Sequence, residues 1–338
     1  MKVSLGYHVQ DGPWGGGNQF ARSLAEALRV KDHVVRFDLR DDDIDLIVLT
    51  DPRERSPSVS FGAGAILRYL LRNPRAMVVH RINECDERKK TRHMNALLQR
   101  ANYCADHTVF IASWLQDLSV WRRETPASVI LNGADGDIFN SAAYRRWNGR
   151  EPLRLVTHHW GGNWMKGFDV YAALDQLLAD TEWKRQIEFT YIGNLPAGFS
   201  FANARYLPPM QGKALARELS SHHVYVTASV NEPAGMHHIE GAMCGLPLLY
   251  RRSGALPEYC EGFGIGFGEV NFIEALKEML EQYPSHADRM PSYSRTAAHM
   301  CREYITLFER MLMQRNTILD NRQLCRNPWI VLRNQIPF

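Results

Sequence analysis

Two carboxylates, Glu232 and Glu240, stand eight positions apart in the stretch Ser229–Pro247, SVNEPAGMHHIEGAMCGLP. The stretch follows an apolar, strand-like run at Val224–Ala228 and contains a short helix candidate, Met236–Cys244. Between the acids, Pro233, Ala234 and Gly235 let the backbone approach a bound group at the helix start. The amides of Gly235, Met236 and His237 then become unpaired donors at a helix N-terminus, which suits a phosphate. Glu240, about one turn in, is placed to accept bonds from sugar hydroxyls. Together these features point to a phosphorylated, hydroxyl-rich ligand such as a nucleotide sugar. The spacing alone is equally compatible with a loop and an amphipathic helix carrying two solvated glutamates.

Other segments repeat the pattern of strand, glycine loop and helix. Lys2–Tyr7 reads as a strand, followed by Gly15-Gly16-Gly17-Asn18 and a helix from Gln19 with Phe20, Leu24 and Leu28 on one face. Gly16 and Gly17 offer backbone amides to a phosphate or sugar. The loop is not G-x-G-x-x-G, and only Asp38 approaches the ribose-binding register, so a nicotinamide site is disfavoured. Val34–Asp38, Leu46–Leu49, Ala76–His80, Thr108–Ala112 and Ser128–Leu131 continue as short strands. His80, Arg81 and Asn83 leave a buried strand's end and are expected to face a crevice; a capping loop fits equally well. Leu153–Thr157 is a strand leading through His158–Gly167 to a helix from about Phe168, and Ile187–Ile192 ends at Gly193-Asn194. Such βαβ repetition predicts an α/β, doubly wound architecture with ligands at the carboxyl ends of the strands.

The continuous register from Ser229 to Glu258, E-P-x-G-x4-E followed by G-A-M-C-G-L-P and G-A-L-P-E, resembles the donor site of retaining GT-B glycosyltransferases, family 4 in particular. The resemblance runs roughly from Gly15 to Glu258. It implies two Rossmann-like domains facing a deep cleft: an acceptor-side domain at 1–148, a donor domain at 149–291, and a C-terminal helix and tail, 292–338, returning toward the first. Asn132-Gly133-Ala134-Asp135 resembles the segment closing the first domain, and Asn140–Pro152 is the linker candidate.

By this resemblance Glu240 holds ribose hydroxyls. Lys166, in the family's K-G pair, and the amides of Gly235 and Met236 stabilise the departing diphosphate. Glu232 bonds the donor sugar near the transferring carbon. Gly16 and Gly17 face the donor phosphates, and His80, Arg81 and Asn83 are acceptor-side candidates. Gly193 forms a cleft turn. The arginine usual before the lysine is missing, and His158 or Asn163 stands in for it. The implied reaction moves a sugar from a nucleotide-diphosphate sugar to a hydroxyl acceptor with retention, without metal or cofactor. Two alternatives remain: another GT-B enzyme, such as an epimerase or phosphorylase, and a non-catalytic nucleotide-sugar-binding protein.

Composition sets the outer bounds. At 338 residues the chain accommodates two ordinary domains. A net charge of +3 argues against nucleic acid and leaves peripheral contact with an anionic membrane open. Six cysteines without a C-x-x-C pair read as reduced thiols, and the strand-like start without a signal peptide is expected of a cytoplasmic protein. The pairs 158/159, 222/223 and 237/238 are histidines without metal-site spacing, and Asp41–Asp43 reads as a solvated turn; His222-His223 is expected to complement a helix dipole as cations.

Overall fold

The structure is a computed structural model, and it describes all residues except 11, 13, 14, 323, 325, 337 and 338. The chain divides into two compact units, Met1–Asn132 with Ala297–Phe338, and Gly133–Thr296. In chain order the first contains strands β1 (Lys2–Leu5), β2 (Val34–Arg36), β3 (Leu46–Leu49), β4 (Met77–Ile82), β5 (His107–Phe110) and β6 (Ala127–Val129). Helices α1 (Gly16–Val30), α2 (Ala63–Arg72) and α3 (Met94–Ala101) intervene. The second contains β7 (Leu153–His159), β8 (Ile187–Gly193), β9 (Arg205–Leu207), β10 (Val224–Thr227), β11 (Leu248–Arg251) and β12 (Gly264–Phe267). Its helices are α4 (Phe168–Leu177), α5 (Thr181–Gln186), α6 (Gly212–Ser220), α7 (His237–Met243), α8 (Leu256–Cys260) and α9 (Phe272–Arg289). Helices α10 (Ala297–Met313), α11 (Arg315–Asn321) and α12 (Pro328–Asn334) return the chain to the first unit.

Each unit is one six-stranded parallel sheet, ordered β2-β1-β3-β4-β5-β6 in the first and β12-β11-β10-β7-β8-β9 in the second. Helices cover both faces, so the central strands are buried on both sides and read as apolar runs, LIVL in β3 and VYVT in β10. Strand order reverses between β1 and β3 and between β7 and β10. At such a switch point neighbouring crossovers diverge to opposite faces and leave a crevice at the carboxyl ends.

Local differences from the sequence reading have physical causes. Helix α1 starts at Gly16, drawing Gly16 and Gly17 into its first turn. The Asn18 amide bonds the backbone N–H and C=O of Gln10 at 2.9 and 2.8 Å, fixing the loop against the helix start. Residues 133–148, assigned above to the first domain, pack with the second unit. Tyr144 bonds the Tyr283 hydroxyl, which also accepts the Trp147 amide at 3.0 Å. Helix α10 starts at Ala297, not Ser292: residues 290–292 form a separate 3-10 turn containing Pro291, and Thr296 bridges to Ala134. Its buried face, including Tyr304 and Phe308, then joins α1 in the first unit's core, with Phe20 and Tyr304 ring centroids 5.1 Å apart.

Among the described residues no helix is long and apolar enough to cross a membrane. Cys85, Cys104, Cys244, Cys260 and Cys301 are buried free thiols; Cys325 lies outside the described residues.

One glycine sets the geometry of the second unit's switch point. Gly167 has φ +98°, and a Cβ there would lie 2.5 Å from the Ala228 Cβ at the end of β10. Gly198 has φ +75° with open space around it. Gly198→Ala is therefore expected to cost only the left-handed backbone strain, about 1–2 kcal/mol. Gly167→Ala is expected to cost clearly more in urea unfolding, and equal costs would show that the close approach to β10 is unimportant.

Candidate functional site

The second unit's switch point gathers the acidic and basic residues of the sequence motif. After β7 the chain crosses Trp160–Asn163, makes a 3-10 turn at Trp164–Lys166, and reverses at Gly167. This turn lies against the loop after β10, where the Val230 amide donates to the Met165 carbonyl at 2.8 Å. Lys166 consequently reaches Glu232, with Nζ 2.5 Å from Oε2, and both side chains are buried.

A third loop secures Glu232 from the other side. The Ala255 amide donates to the Glu232 carbonyl at 2.9 Å, and the Asn231 amide donates to Ser253 Oγ at 2.9 Å. Asn231 adopts φ +50°, a left-handed conformation that Asn tolerates better than most residues. Gly254, at φ +59°, packs so closely that a Cβ would lie 2.5 Å from the Glu232 carbonyl oxygen. The G-A-L-P-E loop therefore serves as a brace for Glu232. A buried pair held this tightly is costly to break on one side only, because the remaining charge loses its partner.

Glu240 sits in the first turn of α7, its amide donating to the Met236 carbonyl at 2.9 Å. Its Oε2 lies 2.7 Å from His158 Nε2, and His158 Nδ1 lies 3.1 Å from the Tyr225 hydroxyl. A carboxylate only accepts, so Nε2 carries the proton and donates. Glu240 Oε1 is buried without a partner among the described residues. A buried acceptor in that state is destabilising, and a ligand hydroxyl would satisfy it. His158, expected to replace the missing arginine, is instead committed to orienting Glu240. Asn163 remains near the lysine: the Cβ position of Gly161 is 3.6 Å from Asn163 Nδ2 and 3.7 Å from Lys166 Cε.

Gly235 and Met236 precede α7 and are half-buried. A Cβ on Gly235 would meet His237 Nδ1 at 2.4 Å and Glu232 Cδ at 3.3 Å, so the loop closes over Glu232 only with glycine there. His237 Nε2 lies 2.9 Å from Thr227 Oγ1, and His159 Nε2 lies 2.7 Å from the Tyr171 hydroxyl. Burial, with nearby histidines and Lys166, pushes both imidazoles well below their ordinary pKa. These rings are neutral and bring no charge to a phosphate. Gly193 has φ +137° and contacts the His159 carbonyl so closely that no side chain fits; it completes the β7–β8 register.

Two residues of this site escaped the sequence reading. Both ring nitrogens of His238 and the Ser229 hydroxyl are buried without partners among the described residues. The His-His pair containing His238 lacks metal-site spacing, so nothing local marked either residue. Among the described residues no group of three or more His, Cys, Asp or Glu is arranged to hold one.

The first-unit candidates divide differently. His80 and Arg81 lie within β4, not beyond its end, and alternate to opposite faces. His80 is fully buried, its Nδ1 3.0 Å from Asn102 Nδ2, and burial holds its pKa down at about 3. It is a core histidine. Arg81 lies 4.0 Å from the centroid of the Phe20 ring and donates to Asn132 Oδ1 at 2.9 Å. The Asn83 amide, oriented to satisfy both neighbours, accepts from Arg81 at 2.9 Å and donates to the Thr50 carbonyl at 3.2 Å. Arg81 and Asn83 thus brace the strand ends.

No family model matches the sequence, and no curated protein matches it. Solved structures match over nearly the whole chain. Sucrose-phosphate synthase of Thermosynechococcus elongatus superposes with TM-score 0.64 at 14% identity, covering 92% of this chain and 99% of that one. The catalytic domain of starch synthase IV of Arabidopsis thaliana, bound to ADP and acarbose, gives 0.65 at 12% identity, covering 92% and 99%. The fold is GT-B. HepE of Anabaena, solved with UDP and glucose, also shares it, with TM-score 0.60 at 13% identity over 93% of this chain and 98% of that one.

Buried neutral histidines make this GT-B unit acid-sensitive. His222 and His223 are held at about 4 and about 3, chiefly by burial, so they are neutral and not the expected dipole cations. His238 is likewise held at about 3. All three, with His159 and His237, bind protons more readily when unfolded, near pH 6.5. Stability is therefore full above that pH and falls as pH drops toward 4, by on the order of 2 kcal/mol at pH 5 for each of His222, His223 and His238. Denaturant unfolding at pH 7.5, 6 and 5 is expected to show a steep decline, and a flat profile would contradict neutral burial.

Proposed function

We propose that the protein is a retaining glycosyltransferase that moves a sugar from a nucleotide-diphosphate sugar to a hydroxyl acceptor. The observation that carries this reading is the convergence of Lys166, Glu232 and Glu240 at the β7/β10 switch point, with one buried Glu240 oxygen unsatisfied. Starch synthase IV and HepE, which share the fold, were solved with ADP and UDP respectively.

In the proposed roles, Glu240 Oε1 accepts a ribose hydroxyl while His158 fixes the carboxylate's orientation. Glu232 holds the Lys166 ammonium and accepts from the donor sugar. The anomeric carbon–oxygen bond breaks as the acceptor oxygen approaches on the same face, and negative charge grows on the departing diphosphate. Lys166 and the amides at Gly235, Met236 and His237 stabilise that charge. The leaving phosphate oxygen takes the acceptor's proton, so no metal is required.

Another reading is a non-catalytic nucleotide-sugar binder, favoured by one observation: residues 158–163 contain no arginine, and Lys166 is already paired with Glu232. Donor turnover separates the two. Glu240→Ala is expected to weaken nucleoside-diphosphate binding about 10- to 100-fold by calorimetry, the scale of a lost charged hydrogen bond. Lys166→Ala is expected to lower donor turnover about 100-fold or more with a smaller change in binding. Nucleotide binding without hydrolysis or transfer across an acceptor panel would favour the binder, and wild-type behaviour of both variants would overturn the site.

A further inference from the structure

The first unit has a second polar site, formed where the C-terminal chain returns to it. Helix α12 is anchored on one face: Val331 packs beside the apolar core containing Ile66 and Leu70, and Asn334 donates to the Arg100 carbonyl at 3.1 Å. Gly64 of α2 lies so near α12 that a Cβ would be 2.3 Å from the Asn334 carbonyl oxygen. The helix is therefore fixed in rotation. At 100° per residue the opposite face carries Trp329 and Leu332, with Ile336 just beyond the helix end. These three are 76%, 58% and 65% exposed.

The face between the anchored and exposed ones, carrying Ile330 and Arg333, borders a cavity of about 770 Å³. Arg100, Arg122 and Arg123 line it too, with Trp121 as an aromatic wall. Asp117 and Glu124 also line it, and Glu124 is paired with Arg122. The remaining guanidinium charge is poorly compensated. Arg100 Nε is buried with no hydrogen-bond partner among the described residues, and Arg333 repels Arg100 more strongly than Glu54 attracts it.

We infer that this face docks on an anionic lipid surface, with Trp329, Leu332 and Ile336 entering the interface and the arginine-lined cavity receiving a headgroup phosphate. Exposed apolar side chains beside unpaired guanidinium groups match the two chemistries of such a surface, acyl chain and phosphate. A soluble anion would use the cavity and leave the apolar stripe unexplained. The inference is independent of the proposed transfer reaction.

Sedimentation of the full chain with vesicles tests it. Phosphatidylcholine mixed with phosphatidylglycerol is expected to bind the protein, phosphatidylcholine alone is not, and added salt is expected to weaken binding. Trp329→Ser with Leu332→Ser is expected to reduce binding about tenfold. Arg100→Gln and Arg333→Gln are each expected to reduce it about fivefold. Circular dichroism checks that the variants keep the fold. Equal binding to neutral vesicles, or unchanged binding by the folded variants, overturns the inference. So does a thermal shift with inorganic phosphate or glycerol 3-phosphate, or RNA binding, in the absence of vesicle binding.

Discussion

An ammonium and a carboxylate buried together, Lys166 and Glu232, determine how the second unit's loops are arranged. Neither charge is stable away from water without the other. Satisfying both requires the loop after β7, the loop after β10 and the loop after β11 to meet. Each approach depends on a residue that tolerates the crowding: Gly167 against Ala228, Gly235 beneath His237, and Gly254 against Glu232. The fold brings these loops to the switch point, and the ion pair fixes their spacing.

Around that pair, charge is scarce. The neighbouring His159, His237 and His238 are neutral through burial, so Lys166 is the cationic side chain at the proposed phosphate position, and helix-start amides supply the rest of the positive potential. His158 acts through Glu240 and leaves one carboxylate oxygen to a ligand. Under the proposed function such a site suits a phosphate flanked by hydroxyls better than a bare polyanion. In the proposed reaction the two tasks are separate, with Glu240 orienting the ligand and Lys166 answering developing charge.

Much of this was legible in the residues. The alternation of strand, glycine loop and helix implied doubly wound parallel sheets, and the E-P-x-G-x4-E spacing placed two acids beside one helix start. The sequence reading failed where long-range contacts decide the outcome. Asn140–Pro152 is polar enough to resemble a linker, yet the Tyr144–Tyr283 contact ties it to the second unit. His80 read as a crevice-facing residue at a strand's end, but β4 runs two residues further and buries it against Asn102. Arg81 read as an acceptor-side candidate because its partners, Phe20 and Asn132, are remote in sequence. The pairing of His158 with Glu240 across 82 positions has no local signal at all.

The central claim is that Lys166, Glu232 and Glu240 form one pyrophosphate-and-ribose pocket. A crystal structure with a bound nucleoside diphosphate tests it most directly. The expected result is a ribose hydroxyl on Glu240 Oε1 and phosphate oxygens facing Lys166 and the amides before α7. A nucleotide bound elsewhere, with Glu240 Oε1 still unsatisfied, would contradict it.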